Sequence, residues 1–95
     1  MEKLNEQQII SALATLTGWQ LDNGFIVKSF KFKDFKEAFG FMVRVAFECE
    51  AQNHHPNWEN VYNSLTIRLN THDADGITTN DIELATTIEQ ILKEH

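Results

Sequence analysis

The chain has one proline, Pro56, and it separates two different hydrophobic periodicities. Proline lacks an N–H and disfavours helical backbone at the residue before it, so a helix arriving from upstream must stop at or before His54. Beyond Pro56 come two strand-like runs. Trp58, Val61 and Tyr62 mark the first. In the second, Leu65, Ile67 and Leu69 alternate with Thr66, Arg68 and Asn70, the pattern of a half-buried strand. Asn63-Ser64 lies between them, and because Asn tolerates positive φ a two-residue hairpin turn is expected there. Pairing Tyr62 with Leu65 puts His72 opposite His55, and directly opposed Cβ atoms lie about 4.5–5.5 Å apart. A slip of one residue still leaves His72 at the His54-His55-Pro56 corner. Glu50, one helical turn before His54, shares its face. Three of the four histidines and a carboxylate are thereby expected at one end of a hairpin.

The remaining elements are read from the same signals. Asn5 caps a first helix running to about Leu16, with Ile9, Leu13 and Leu16 on one face. Trp19 to Asp22 forms a short strand, Asn23-Gly24 a tight turn, and Phe25 to Phe32 the returning strand, with Ile26, Phe30 and Phe32 on one face. Lys28 interrupts that face and is expected at a sheet margin. Asp34 starts a long helix toward Glu50. One broad apolar face carries Phe35, Ala38, Phe39, Met42, Val43, Ala46 and Phe47. A second stripe carries Phe41, Val45 and Cys49, and this stripe is expected to meet a second subunit. Asp73 to Gly76 is a loop. Thr78 and Asp81 resemble a capping box that opens a last helix toward Lys93, with Ile82, Ala85, Ile88, Ile91 and Leu92 inward. The expected architecture is α+β: a two-layer domain with a four-stranded antiparallel sheet, helices packed on one face, in the order αββαββα.

Ninety-five residues suit a single domain, spanning 1–95. An apolar content of 42% provides for a core. The net charge of −6 argues against a phosphate-binding surface, so no nucleic-acid partner is expected. One cysteine, Cys49, permits no internal disulfide and fits a reducing compartment. No apolar run approaches the roughly 20 residues of a membrane span. With no secretory signal visible in MEKLNEQQII, the expected location is cytoplasmic.

Histidine is the side chain whose ordinary titration range, around 6.5, brackets cellular pH. Several imidazoles in one pocket offer both a proton donor and an acceptor, and such catalysis contributes typically about 10²–10⁴-fold. His54, just past a helix C-terminus, lies where the dipole favours a cation. Trp58 offers a flat apolar surface for a planar heterocycle, or serves simply as a sheet aromatic. His95, at the terminus, is expected to be solvated. Glu50, His54, His55, His72 and Asp81 are also ligand types for zinc or iron. However, adjacent extended residues point to opposite faces, and no HExxH or CxxC pattern is present, so a metal-free site is expected. No Gly-x-Ser-x-Gly elbow or Gly-rich phosphate loop occurs.

Glu50, His54-His55-Pro56, Tyr62, His72 and Asp81 resemble the motif of the pterin-4a-carbinolamine dehydratase family, also known as the dimerisation cofactor of a homeodomain transcription factor. Phe30-Lys31-Phe32-Lys33-Asp34-Phe35 and Ala38-Phe39-Gly40-Phe41-Met42 are similar to the family's second strand and long helix. The resemblance extends from Trp19 onward. Asn53 and the Asp73–Gly76 loop sit at variable positions. The resemblance implies dehydration of 4a-hydroxytetrahydropterin to quinonoid dihydropterin, without a cofactor. It implies His54 and His72 as the acid/base pair, with His55 binding the pterin or sharing in proton transfer. Glu50 and Asp81 would orient the histidines, and Trp58 would border the ring. It further implies a homo-oligomer, dimer or tetramer, and a possible protein partner in the manner of a transcription-factor stabiliser.

Overall fold

Four strands form one antiparallel sheet in the order β1-β2-β4-β3, where β1 is Gln20–Asp22, β2 Phe25–Lys31, β3 Asn57–Val61 and β4 Ser64–Leu69. The computed structural model describes residues 2–95. Three helices cover one face of the sheet: α1 (Glu6–Leu13), α2 (Phe35–Gln52) and α3 (Thr79–Glu94). The αββαββα order expected from the sequence is the one observed. Among the described residues, no helix is long and apolar enough to cross a membrane.

Local chemistry explains each boundary. Asn5 and Gln8 form a reciprocal capping box at the start of α1. That helix ends at Leu13, three residues earlier than expected, and Leu16 packs into the core from the following turn. Asp34 caps α2 by accepting from the Glu37 N–H at 2.9 Å. In β4 the inward residues Leu65, Ile67 and Leu69 are all fully buried, as strand alternation requires. They meet Phe41, Val45 and Cys49 of α2 and Leu84, Ala85 and Ile88 of α3 in one core.

The expected hairpin register is corrected. Val61 pairs with Ser64, so the turn is Tyr62-Asn63, and Tyr62 takes the positive φ of 52°. The reason lies in a third strand. β4 runs between β2 and β3, and Phe30↔Leu65 and Lys31↔Ser64 set its register from the other side. Asn63 is tied to the end of β2, accepting from the Phe32 N–H at 2.8 Å and donating from Nδ2 to the Phe32 carbonyl at 2.9 Å. It therefore cannot supply the left-handed residue.

Lys28 is likewise not at a sheet margin. It lies on the helix-covered face, where its ammonium donates to Glu89 of α3 at 2.7 Å and to the Thr17 carbonyl at 2.9 Å. The Trp19 indole N–H donates to the same Glu89 oxygen at 2.9 Å. A cation is tolerated beside Phe30 because the carboxylate compensates it.

The Phe41, Val45 and Cys49 stripe of α2, expected to meet a second subunit, faces inward instead. Phe41, Val45 and Cys49 are buried in the protomer's own core, together with Ala38. Phe35, Phe39, Val43 and Phe47 face outward, at 48%, 50%, 40% and 72% exposure. The narrow stripe packs into the core that it shares with β4 and α3.

His95 is exposed, as expected, but it also makes contacts. Its ring packs edge-on to Phe32 and Phe41, and its Nε2 lies 2.9 Å from the Glu37 carbonyl.

Cys49 sits in the core at 2% exposure. Burial pushes its thiol up to about 11, and the neighbouring Glu48 and Glu50 carboxylates add to this against a backbone hydrogen bond that lowers it. The thiolate is the reactive form, so the folded protein should resist an aromatic disulfide reagent at pH 8 and react promptly once unfolded in urea. Because the folded-state value is raised, the unfolded chain ionises first. Stability is therefore held below pH 9 and lost as pH rises toward 11, which alkaline urea titrations of the native protein and Cys49→Ala would read as a difference.

Candidate active site

Pro56 and a left-handed residue together end α2 and aim the histidines. Asn53 has φ 51° and ψ 44°. Its N–H bonds to the Glu50 carbonyl at 3.2 Å, and the His54 N–H reaches back to the Cys49 carbonyl at 3.0 Å. This is the Schellman closure, with Asn in the place usually held by Gly. A β-branched residue is disfavoured there, so Asn53→Val should cost about 1–2 kcal/mol in urea unfolding, while Asn53→Gly should be near neutral.

The reversed backbone turns His54 inward and leaves His55 outside. The His54 side chain is 11% exposed, and its Nε2 lies 2.6 Å from Oδ1 of Asp81, a carboxylate with no exposure. The other Asp81 oxygen accepts from the Thr78 N–H at 2.9 Å and from the Thr71 hydroxyl at 2.9 Å. Among the described residues, Thr78 and Asp81 are the two polar side chains classed as buried. A carboxylate buried this deeply persists because three donors reach it. In this geometry an ionised Asp81 would accept at Oδ1 from His54 Nε2–H, an arrangement that leaves Nδ1 as the second nitrogen for exchange.

His55 is exposed, with its Nε2 2.5 Å from Glu50. His72 does not lie in a strand opposite His55. After Leu69 the chain leaves the sheet, Thr71 bridges to Gly76, and His72 begins a 3₁₀ turn, His72–Ala74. That turn brings it to the corner the sequence indicated. His54, His55 and His72 line one open cavity of about 290 Å³, with Asn53, Thr71 and Asp73 among its other walls. A larger hollow of about 540 Å³ lies by Lys3, Leu4 and Gly24 and gathers no histidines.

Besides Asp81, which reaches the cavity through His54, two expected site residues lie outside its lining. Trp58 pairs with Ile67 and packs half-buried against the core, outside the cavity lining. Glu50 borders instead a shallow apolar hollow with Val43, Ala46 and Phe47, and touches the site only through His55. The sequence reading passed over Thr71. Its signal was weak: a hydroxyl one residue before His72, on a chain segment expected only to be extended. Among the described residues, no three His, Cys, Asp or Glu side chains converge as a metal site requires.

The arrangement can move protons. A buried carboxylate holds one imidazole by one nitrogen, a second imidazole lines the same cavity, and a third is held by an exposed carboxylate.

Comparison with known proteins bears on the family and the fold. A protein of Christiangramia forsetii, named "Putative pterin-4-alpha-carbinolamine dehydratase", is 53% identical over 93 residues, covering 98% of this chain and 96% of its own. One of Solibacter usitatus with the same name is 51% identical, covering 94% of each. The crystal structure of a transcriptional coactivator/pterin dehydratase from Brucella melitensis superposes with a TM-score of 0.92 at 42% identity, over 95% of this chain and 98% of that one. Residues 2–91 match the sequence profile of Pterin 4 alpha carbinolamine dehydratase, and the chain belongs to that family.

Proposed function

We propose that the protein dehydrates 4a-hydroxytetrahydrobiopterin to quinonoid dihydropterin and water, returning the pterin of an aromatic hydroxylation to its cycle. The observation that carries this reading is His54, held from behind by Asp81, sharing one cavity with His72. The reaction breaks the C4a–O bond and removes the N5 proton. One group protonates the departing hydroxyl, and another accepts from N5. His54, exchanging through Nδ1, and His72 are the two groups for these steps. Asp81 holds the far nitrogen of His54 and balances its charge when protonated. His55, fixed by Glu50, is placed to bind the pterin edge or share the proton transfer. No step needs a metal or a cofactor. Trp58, outside the cavity lining, acts through packing in this reading. The reaction is intracellular in this reading, since it serves a cytoplasmic cofactor cycle.

The test is direct. Freshly generated 4a-hydroxytetrahydropterin is mixed with the protein, and loss of carbinolamine absorbance is followed. Acceleration above the spontaneous rate supports the reading; an unchanged rate rejects it.

The outward row of Phe35, Phe39, Val43 and Phe47 supports a homo-oligomer built through α2, because a row of large apolar side chains along one helix is a usual contact surface. The same row supports the second reading, a scaffold that stabilises another protein's dimer. A scaffold without catalysis would leave the carbinolamine decay unchanged and depend only on this helix face.

A further inference from the structure

We propose that Thr71 is a positioning residue that fixes the His54 tautomer through Asp81. Its catalytic consequence rests on the dehydratase reading above. The argument begins with proton bookkeeping. Thr71 has one hydroxyl proton, and Asp81 Oδ2, 2.9 Å away, can only accept it. Thr71 Oγ1 also lies 2.7 Å from Thr78 Oγ1, so that contact is a donation from Thr78. Thr78 Oγ1 in turn accepts from the Asn80 N–H at 3.2 Å, at the first turn of α3. Every proton then points one way: Asn80 to Thr78, Thr78 to Thr71, Thr71 to Asp81. His54 Nε2–H closes on the same carboxylate from the opposite side at 2.6 Å.

Thr71 is the member of this chain that also borders the cavity. Its backbone is pinned, with its N–H donating to the Gly76 carbonyl at 2.8 Å and its carbonyl accepting from the Gly76 N–H at 3.4 Å. The hydroxyl is thus aimed from a fixed point. Without it, Asp81 Oδ2 keeps only the Thr78 N–H, and the carboxylate can rotate to offer His54 a poorer acceptor. His54 then loses the single arrangement that leaves Nδ1 facing exchange. Small misplacements of this kind cost rate, since proton transfer depends on tight geometry.

The experiment uses Thr71→Val, Thr71→Ser and Thr71→Ala in the full chain. Serine and alanine differ only by the hydroxyl, so they decide the matter even where valine fails to fold. Nitrogen-detected NMR of the imidazoles reads the tautomer without substrate. The native protein and Thr71→Ser should show one Nε2–H form for His54, and Thr71→Ala a mixture. In the dehydration assay, kcat should fall about tenfold in Thr71→Ala with KM within about twofold, and Thr71→Ser should restore it. A pure Nε2–H signature in Thr71→Ala, or equal kcat in the serine and alanine variants, overturns the proposal. Failure of the dehydratase reading is seen separately, as absent acceleration by the native protein; the NMR comparison then decides the tautomer claim by itself.

Discussion

His54→Gln should leave the protein folded and lower its dehydration rate by about 10²–10⁴-fold. Glutamine is the informative replacement. Its amide N–H can donate to Asp81 Oδ1 in place of the imidazole, so the buried carboxylate keeps a third donor. What it removes is a group that takes and returns a proton at neutral pH. Stability should change by no more than about 1 kcal/mol, because the hydrogen bond is retained. Asp81→Ala differs in kind. It strips the acceptor from His54, Thr71 and the Thr78 N–H together, so both rate and stability should fall. Stopped-flow rates beside urea unfolding curves separate the two outcomes. A His54→Gln variant with native rate would remove His54 from the chemistry.

Val45→Glu and Phe47→Glu should part sharply, although the residues are two apart on one helix. Val45 has no exposure and lies in the core with Leu65 and Ile88. An unpaired carboxylate there costs at least several kcal/mol, against a total stability of about 5–15 kcal/mol for a domain. Val45→Glu should therefore be unfolded or nearly so by circular dichroism. Phe47 is 72% exposed, so Phe47→Glu should keep the folded protomer's stability within about 0.5 kcal/mol. On the proposed homo-oligomer, its effect should appear instead in sedimentation, as a smaller particle than the native protein. A folded Val45→Glu protein would contradict the inward stripe, and a native-sized Phe47→Glu particle would contradict the proposed contact through α2.

The inward turn of the Phe41, Val45 and Cys49 stripe shows where sequence reasoning loses its grip. Periodicity finds apolar faces on a helix, and both faces of α2 were visible in it. It does not say which face the sheet takes, because that depends on how α3 crosses above the strands. The hairpin register was lost for a related reason. Tyr62-Asn63-Ser64 contains the turn, but the partner that fixes it is Phe32, some thirty residues upstream. In contrast, the end of α2 was legible from Pro56 alone, because that constraint is local and steric. The Thr78–Asp81 box was legible for the same reason. The convergence of His54, His55 and His72 survived the wrong register, since either register returns the chain to the same corner. Thr71 was invisible because its role exists only through Asp81, which is brought beside it by packing.

The most direct measurement is a crystal structure of the protein with a pterin bound. The ring should lie in the hollow between the 53–55 and 70–73 segments, its 4a position within hydrogen-bond reach of His54 or His72, with the His54–Asp81 contact unbroken. A pterin bound elsewhere on the molecule, with those imidazoles left untouched, would contradict the account.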